Sequence, residues 1–465
     1  MKDVLRDRGW TEVEGEDDSW NLFWCEVSQL RSTLDHRRLD SNQKVRHFRN
    51  HYELTRKNLL SRNIKKLRRT LLRQGRTQEA EMCDCVPVTF ELPSEHLMFV
   101  EEFRRRHGTT WIIKPSSGSQ GRGIFIFQKC DGSVRPRRLK ELSEWRLARE
   151  AAAQNGCKPD SRGSLAAAAA APAAGPGAGP GAPDSLTSTA DQEVAAEVWV
   201  VQMYVDKPYL IADKKFDIRF YVLVTSFRPL KVWMAREGFA RMCGEPYNLR
   251  ALNNQRGHLT NMSIQLKGNE TDVPGCKWGL RRLRQFLTAE HGAAAIDRLF
   301  QRIAHVVMTS LRSVQQAILQ DRHCFELYGY DVLLDEDLNP WLLEVNASPS
   351  LTATDPEDYR LKYQLLEDVL NVIDMEGNLS GQERQVGGLD LLWDDGPVFR
   401  RCPEGACGVT RPQPANECRP LNVMLGCYNN RAEQLEELAR WRVVVAQHVA
   451  GNQVSKNSGA TKNAQ

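Results

Sequence analysis

At 465 residues the chain is too long for one simple core and suits two or three domains. Its 41% hydrophobic and 26% charged content is that of a globular protein, and no apolar run is long enough to span a membrane. The 12 cysteines are scattered without Cys-x-x-Cys pairs, which argues against a zinc module or disulfide framework and for a reducing compartment. The first residues lack the apolar core of a signal peptide, which points to the cytosol.

A net charge of +4 is small but unevenly spread. After a strand-like Trp20-Asn21-Leu22-Phe23-Trp24, basic residues crowd the stretch from Arg31 to Arg76. Within it Leu60, Ile64, Leu67 and Leu71 step by four, three and four, predicting an amphipathic helix over 53–73. Its basic face is either simply solvated or a docking surface for an acidic polymer. No nucleic-acid module accompanies it and aromatics are not interleaved, so an acidic protein is the better partner.

Trp111-Ile112-Ile113-Lys114-Pro115 ends a strand with a lysine. The glycine-rich loop from Ser116 to Gly123 then enters a second strand, Gly123-Ile124-Phe125-Ile126-Phe127, rather than a helix. That excludes a Gly-Lys-Ser/Thr phosphate loop and leaves a strand–loop–strand lid, or a plain hairpin turn. Residues 166–183 contain only Ala, Pro and Gly, so 130–195 is expected to be a disordered, expanded connection inside one domain. A strand follows at Val198-Trp199-Val200-Val201-Gln202, and another from Phe216 to Val224. Alternation puts Lys215, Asp217 and Arg219 on one face of the latter, with Phe216, Ile218 and Phe220 on the other. A Phe227-Arg228-Pro229-Leu230 turn leads into a strand over Lys231–Ala235, after which Arg236 and Arg241 add positive charge. His258-Leu259-Thr260-Asn261 forms a short polar loop, and helical patterns occupy Leu280–Leu287 and Ala293–Ala317. Beyond Asp374 the sequence loosens into turns, with one further helix expected from Arg431 to Val449.

The most informative stretch is Phe325-Glu326-Leu327-Tyr328-Gly329-Tyr330-Asp331 followed by Trp341-Leu342-Leu343-Glu344-Val345-Asn346. Two apolar strands joined by Asp335-Glu336-Asp337-Leu338-Asn339-Pro340 form a hairpin. Counting back from the turn places Asp331 roughly opposite Glu344, with Asn346 on the same face. Two carboxylates and an amide so placed need a positive charge among them, and an all-oxygen set suits Mg²⁺ shared with substrate phosphates. Together with the lysine, glycine loop and cationic strand, this inventory suits phosphoryl transfer from ATP.

In this order the motifs resemble those of the tubulin tyrosine ligase-like family, over about Val4 to Cys427. The resemblance implies an α/β (α+β) ATP-grasp fold with antiparallel sheets flanked by helices. Its subdomains would be 1–90, 91–203, and a catalytic 204–375, with 376–465 an irregular extension. Lys114, Gln120, Gly121, Arg122, Gly123 and Ile124 resemble the first ATP motif, and Gln202, Met203, Tyr204 and Val205 the hinge that receives adenine. Lys215, Asp217, Arg241, Thr260 and Asn261 are implied ATP contacts, with Lys215, Arg219 and Arg241 serving catalysis. Asp331, Glu344 and Asn346 are the implied Mg²⁺ ligands, and Arg241, Lys277 and Lys362 the contacts of free L-glutamate. The implied activity is ATP-dependent addition of glutamate to glutamate side chains in acidic tubulin tails, through an acyl phosphate. The basic helix would meet those tails, with no nucleic acid or membrane as partner and accessory subunits conceivable. Cytoplasm, cytoskeleton, cilium basal body and flagellar axoneme are the implied locations. A glycine or tyrosine ligase of the same fold, or a non-catalytic microtubule-binding adaptor, are the alternatives.

Overall fold

The structure is a computed structural model that describes residues 1–13, 20–30, 34, 38–117, 121, 123–128, 198–265, 276–400 and 419–428. Two compact units result, one made of residues 1–87 with 205–465, the other of 88–204. The expanded connection, the helix expected from Arg431, and loop residues Gln120 and Arg122 lie outside the described residues.

The chain opens with short strands β1 (Leu22–Phe23) and β2 (Lys44–Arg46) and then the 17-residue helix α1 (Lys57–Arg73). Leu60, Ile64 and Leu71 bury on one side of α1, with Leu67 partly covered, which is the stripe that the spacing predicts. The smaller unit follows. Its four strands are β3 (Thr89–Leu92), β4 (Thr110–Pro115), β5 (Phe125–Gln128) and β6 (Trp199–Met203), ordered β3-β6-β4-β5 and all antiparallel. Helix α2 (His96–Arg105) sends Phe99 into their aromatic core with Phe90, Trp111 and Phe127. At the β4–β5 turn Gly121 and Gly123 both hold φ near +72°, a left-handed backbone open chiefly to glycine.

The larger unit is built on a ten-stranded sheet whose main path runs from β1 and β2 through β11 (Cys324–Leu334), β8 (Lys214–Phe227), β9 (Leu230–Met242) and β14 (Leu389–Asp394) to β13 (Gln385–Val386). Short β7 (Leu210–Ile211) pairs with the long β8 (Lys214–Phe227). β8 turns at Phe227 and Leu230 into β9 (Leu230–Met242), and β10 (Lys277–Gly279) adds to β9. Helices α3 (Leu280–His291) and α4 (Ala293–Val314) follow, then β11 (Cys324–Leu334), β12 (Pro340–Asn346) and helix α5 (Pro356–Ile373). The loose region expected beyond Asp374 instead contains β13 (Gln385–Val386) and β14 (Leu389–Asp394), the latter paired with β9. The Leu389-Asp390-Leu391-Leu392-Trp393 run supplies enough apolar surface for a strand, and the surrounding turn residues obscured it. The sheets are mainly antiparallel with helices against them, in the α/β class expected, although β1–β2 and β2–β11 pair in parallel.

Alternation divides the large sheet into two faces. Phe216, Ile218, Phe220, Val222 and Val224 of β8 join Leu283, Leu287, Phe300, Ile303 and Val307 in the main core. On the opposite face Tyr221 and Leu223 pack with Leu365, Val369 and Val372 of α5. Lys215, Asp217 and Arg219 continue that second face along β8, so the polar residues gather beyond the end of its apolar cluster.

Candidate active site

A β-bulge sets the geometry of the carboxylate hairpin. β11 and β12 pair Leu334 with Pro340, Leu333 with Trp341 and Val332 with Leu342, then shift so that Asp331 meets Glu344. Leu343 is the extra residue. Consequently Leu342 and Val345, three apart, both reach the main core, while Glu344 and Asn346 are turned to the other face. Asp331 joins them there from β11 and simultaneously opposes Arg219 of β8.

The positive charge expected between the carboxylates comes from this chain's own side chains. Arg219 grips both oxygens of Asp331, with its Nη2 at 2.8 Å from Oδ2. Arg241 reaches the same Oδ2 at 2.9 Å and also holds Asp217 through Nε at 2.8 Å and through Nη2. These four charged side chains, two guanidiniums and two carboxylates, are all buried. Burial alone would raise the Asp331 carboxyl, but Arg219 and then Arg241 outweigh it and hold Asp331 well below the usual carboxylate range. Burial likewise pulls on Arg241, yet Asp217 and Asp331 raise it well above its ordinary value. Glu344 is paired with Lys57 Nζ at 3.0 Å, a contact made by the first residue of α1. Sequence reading counted Lys57 only among the basic residues of that helix; its place at the helix start, away from the exposed basic face, is the signal that could have singled it out. Asn346 Nδ2 lies 3.4 Å from both Gly329 O and Glu344 Oε1.

Lys215 is buried on the same face of β8, and desolvation pushes its ammonium down to about 8, partly opposed by Cys243 and Asp217. Thr260 is buried, and the Asn261 carbonyl accepts the N–H groups of Ile264 and Gln265, opening a short helix at Met262–Gln265. In the smaller unit Lys114 donates to Gln202 Oε1 at 2.8 Å, and Gln202 Nε2 donates to Thr89 Oγ1 at 2.9 Å. The implied hinge straddles the unit boundary, which falls between Tyr204 and Val205.

Lys277 and Lys362 are not the solitary surface lysines that their sequence context allows. Lys277 pairs in register with Arg241, lies over the Phe239 ring at 4.1 Å and meets Asp358 Oδ1 at 2.6 Å. Lys362 meets Asp358 Oδ2 at 2.8 Å and donates to Thr352 O at 2.5 Å. Asp358 was missed from sequence, although Asp355-Pro356 ahead of it is a helix-start signal. Arg236, read as further positive charge for the site, is committed elsewhere. It forms a two-pronged pair with buried Asp390 at 2.7 Å and donates to Tyr428 O, fastening β14 and the 419–428 segment to β9.

The chemistry available is anion handling. Several fixed cations stand around two carboxylates and an amide, all hard oxygen donors. Among the described residues no three His, Cys, Asp or Glu side chains cluster as metal ligands, so a cation here would take Asn346 as its third protein ligand. The donor set and the ionised state of Asp331 fit Mg²⁺.

A family model described as the tubulin-tyrosine ligase family matches residues 34–380. The "Probable tubulin polyglutamylase TTLL9" of Rattus norvegicus is 45% identical over 444 residues, 95% of this chain and 90% of that protein. The "Probable tubulin polyglutamylase ttll-9" of Caenorhabditis elegans is 40% identical over 405 residues, 86% and 84% of the two chains. The "Probable alpha-tubulin polyglutamylase Ttll1" of Tetrahymena thermophila is 35% identical over 418 residues, 85% and 90%.

Proposed function

Because the chain belongs to the tubulin-tyrosine ligase family, we propose that it is an ATP-dependent ligase that adds L-glutamate to glutamate side chains of tubulin tails. The observation that carries this reading is the pairing of Asp331, held ionised by Arg219 and Arg241, with Glu344, which Lys57 meets. Such an arrangement handles phosphates.

In this reading a tail carboxylate oxygen takes the γ-phosphoryl of ATP, giving an acyl phosphate and ADP. The amino group of free glutamate then attacks the acyl carbon, phosphate leaves, and an isopeptide bond remains. Asp331, Glu344 and Asn346 would hold Mg²⁺, which supplies charge neutralisation for the phosphates when bound. Lys215, and Lys114 with Gln202, Gly121, Gly123 and Ile124, are assigned to ATP; Met203, Tyr204 and Val205 to its adenine; Thr260 and Asn261 to the same nucleotide. Gln120 and Arg122 share the loop assignment from sequence alone. Arg219 and Arg241 are fixed by Asp331 and Asp217, so they need no reorganisation when charge develops on the transferring group. Arg241 also serves the incoming amino acid, with Lys277 and Lys362 for its carboxylates. The exposed Arg62, Lys66 and Arg69 side of α1 is assigned to the acidic tail. Action on tubulin would place the protein at the cytoskeleton, in cilia and flagella above all. Among the described residues no helix is long and apolar enough to cross a membrane.

The test is mass spectrometry of tubulin tails after incubation with the purified chain, ATP, Mg²⁺ and isotopically labelled amino acids. Added masses of labelled glutamate support the reading. Glycine incorporation instead would move the chain to the glycine-ligase alternative, and no incorporation, with tubulin still bound, would make it an adaptor.

A further inference from the structure

Two lysines converge on one buried carboxylate beside the phosphate-handling cluster. Asp358, 2% exposed, meets Lys277 of β10 and Lys362 of its own helix, one through each oxygen, at 2.6 and 2.8 Å. Lys362 is buried as well, and its Nζ is further fixed by the Thr352 carbonyl. Asp358 is itself held. Its backbone N–H donates to the N-cap side chain of Asp355 at 2.8 Å, and Oδ2 accepts from the Thr354 N–H at 3.1 Å.

A helix-capping aspartate explains the last two contacts and nothing more. Caps are ordinarily surface features and recruit no pair of cations. Bringing two ammoniums within reach of one another in a desolvated place is unfavourable unless an anion lies between them. Here Asp358 is that anion, and the trio retains one positive charge. Tyr221 adds a second observation. It lies on the same face of β8 as Arg219, is fully buried, and its hydroxyl has no hydrogen-bond partner among the described residues. It also stands within electrostatic reach of Asp358, Arg219, Asp331 and Arg241. A buried hydroxyl unpaired within reach of these charges is a polar group that a ligand could satisfy.

We propose that Asp358 is a positioning residue that locks Lys277 and Lys362 side by side as a two-pronged receptor for one carboxylate of the free amino-acid substrate. The inference rests on the ligase reading and deepens it. Asp358 touches neither substrate nor phosphate. It sets the spacing of the two ammoniums and keeps Lys362 charged. Burial lowers the Lys362 ammonium, Asp358 partly restores it, and Lys277 and Arg219 facing it lower it again. Without the Asp358 charge Lys362 loses its proton more readily, so the receptor weakens as the pH rises.

The experiment measures L-glutamate binding by calorimetry to the full chain, with Mg²⁺ and a non-hydrolysable ATP analogue present, at pH 7 and pH 9. Asp358→Asn keeps size and most of the cap. It is expected to weaken glutamate binding about tenfold at pH 7 and more at pH 9, with affinity for the ATP analogue unchanged. A wild type that binds no glutamate, or a D358N chain that binds it equally well at both pH values, overturns the inference. Asp358→Glu, which keeps the charge and displaces it by one methylene, carries the test should D358N fail to fold. It should weaken binding by a smaller factor without the added pH dependence, and unchanged binding would again overturn the inference. Incorporation into tubulin is scored separately. A chain that binds glutamate through Asp358 yet ligates nothing would sink the ligase reading and leave this one standing.

Discussion

Asp331→Asn and Glu344→Gln each remove one negative charge from the same hairpin, yet the structure predicts unlike consequences. Asp331 is fully enclosed with Arg219 and Arg241, and losing its charge takes from Arg219 the carboxylate it grips and leaves Arg241 with Asp217. Stripping one partner from a buried pair costs about 3–5 kcal/mol. At roughly 2–4 °C per kcal/mol for a domain of moderate size, that is a fall in Tm on the order of 10 °C. Glu344 is about a quarter exposed and paired with partly exposed Lys57, so solvent screening limits the pair to about 1 kcal/mol or less. Its loss should move Tm by no more than about 4 °C. Activity should fall alike in both. A ligand charge facing transferring phosphate is worth about 3 kcal/mol in the transition state, or roughly 100-fold in rate. Differential scanning fluorimetry together with labelled-glutamate incorporation at saturating ATP and Mg²⁺ reads both quantities. The reasoning fails if E344Q keeps activity within about threefold of wild type, or if it lowers Tm as far as D331N does.

Lys215 carries a pH signature. Desolvation sets its ammonium near 8, so the cation is present below that value and lost above it. ATP affinity measured by calorimetry should therefore decline as pH rises through about 8, and Lys215→Met should abolish the decline; a flat wild-type profile would remove Lys215 from the nucleotide contacts. Arg236→Met should cost about 3–5 kcal/mol in urea unfolding, since it strands buried Asp390, while the folded fraction keeps its ATP affinity. Gly238→Ala should destabilise more than an ordinary surface change, because the new methyl would fall 2.4 Å from the Arg219 carbonyl and 2.9 Å from Leu280 Cδ1. A G238A chain melting within about 1 °C of wild type would contradict that contact. For Asp331 the depressed carboxyl contributes stability that is whole above its unfolded value, near 4, and is lost as pH falls further. Wild-type Tm should thus be insensitive to this group from pH 5 to 8, and D331N should narrow the gap only under acid.

The parts of the site that obey short-range rules were legible. The turn chemistry of Asp335 to Pro340 and the two-residue period placed Asp331 against Glu344, and the four-three-four spacing of Leu60, Ile64, Leu67 and Leu71 placed the buried stripe of α1. Even there the bulge at Leu343 was invisible, because a bulge is chosen by cross-strand packing and leaves little local trace. Asp217 and Arg219 could be put on one face of their strand, but nothing local says which carboxylate an arginine will grip. Asp331 lies 112 positions from Arg219, Asp390 lies 154 from Arg236, and Glu344 reaches back to Lys57 across most of the unit. Such pairings are products of sheet order, and β14 entered that order from a stretch whose turns hid its strand.

The same device operates twice around this sheet face. Asp217 and Asp331 hold Arg241 and Arg219 in fixed directions, and Asp358 holds Lys277 and Lys362. Long cationic side chains left to themselves would sample many rotamers and give up entropy when an anion arrived. Fixed by internal carboxylates, they meet phosphate or amino acid already oriented, and the energy of the contact is not spent on ordering them. The internal anions also temper the field. A cluster of unopposed arginines and lysines would retain the acidic tail itself, whereas a cluster reduced to one or no net charge discriminates by geometry. Neutralising an internal carboxylate should therefore lower turnover while increasing the affinity for polyglutamate peptide, and D358N tested with such a peptide in competition with free glutamate separates that outcome from simple loss of binding.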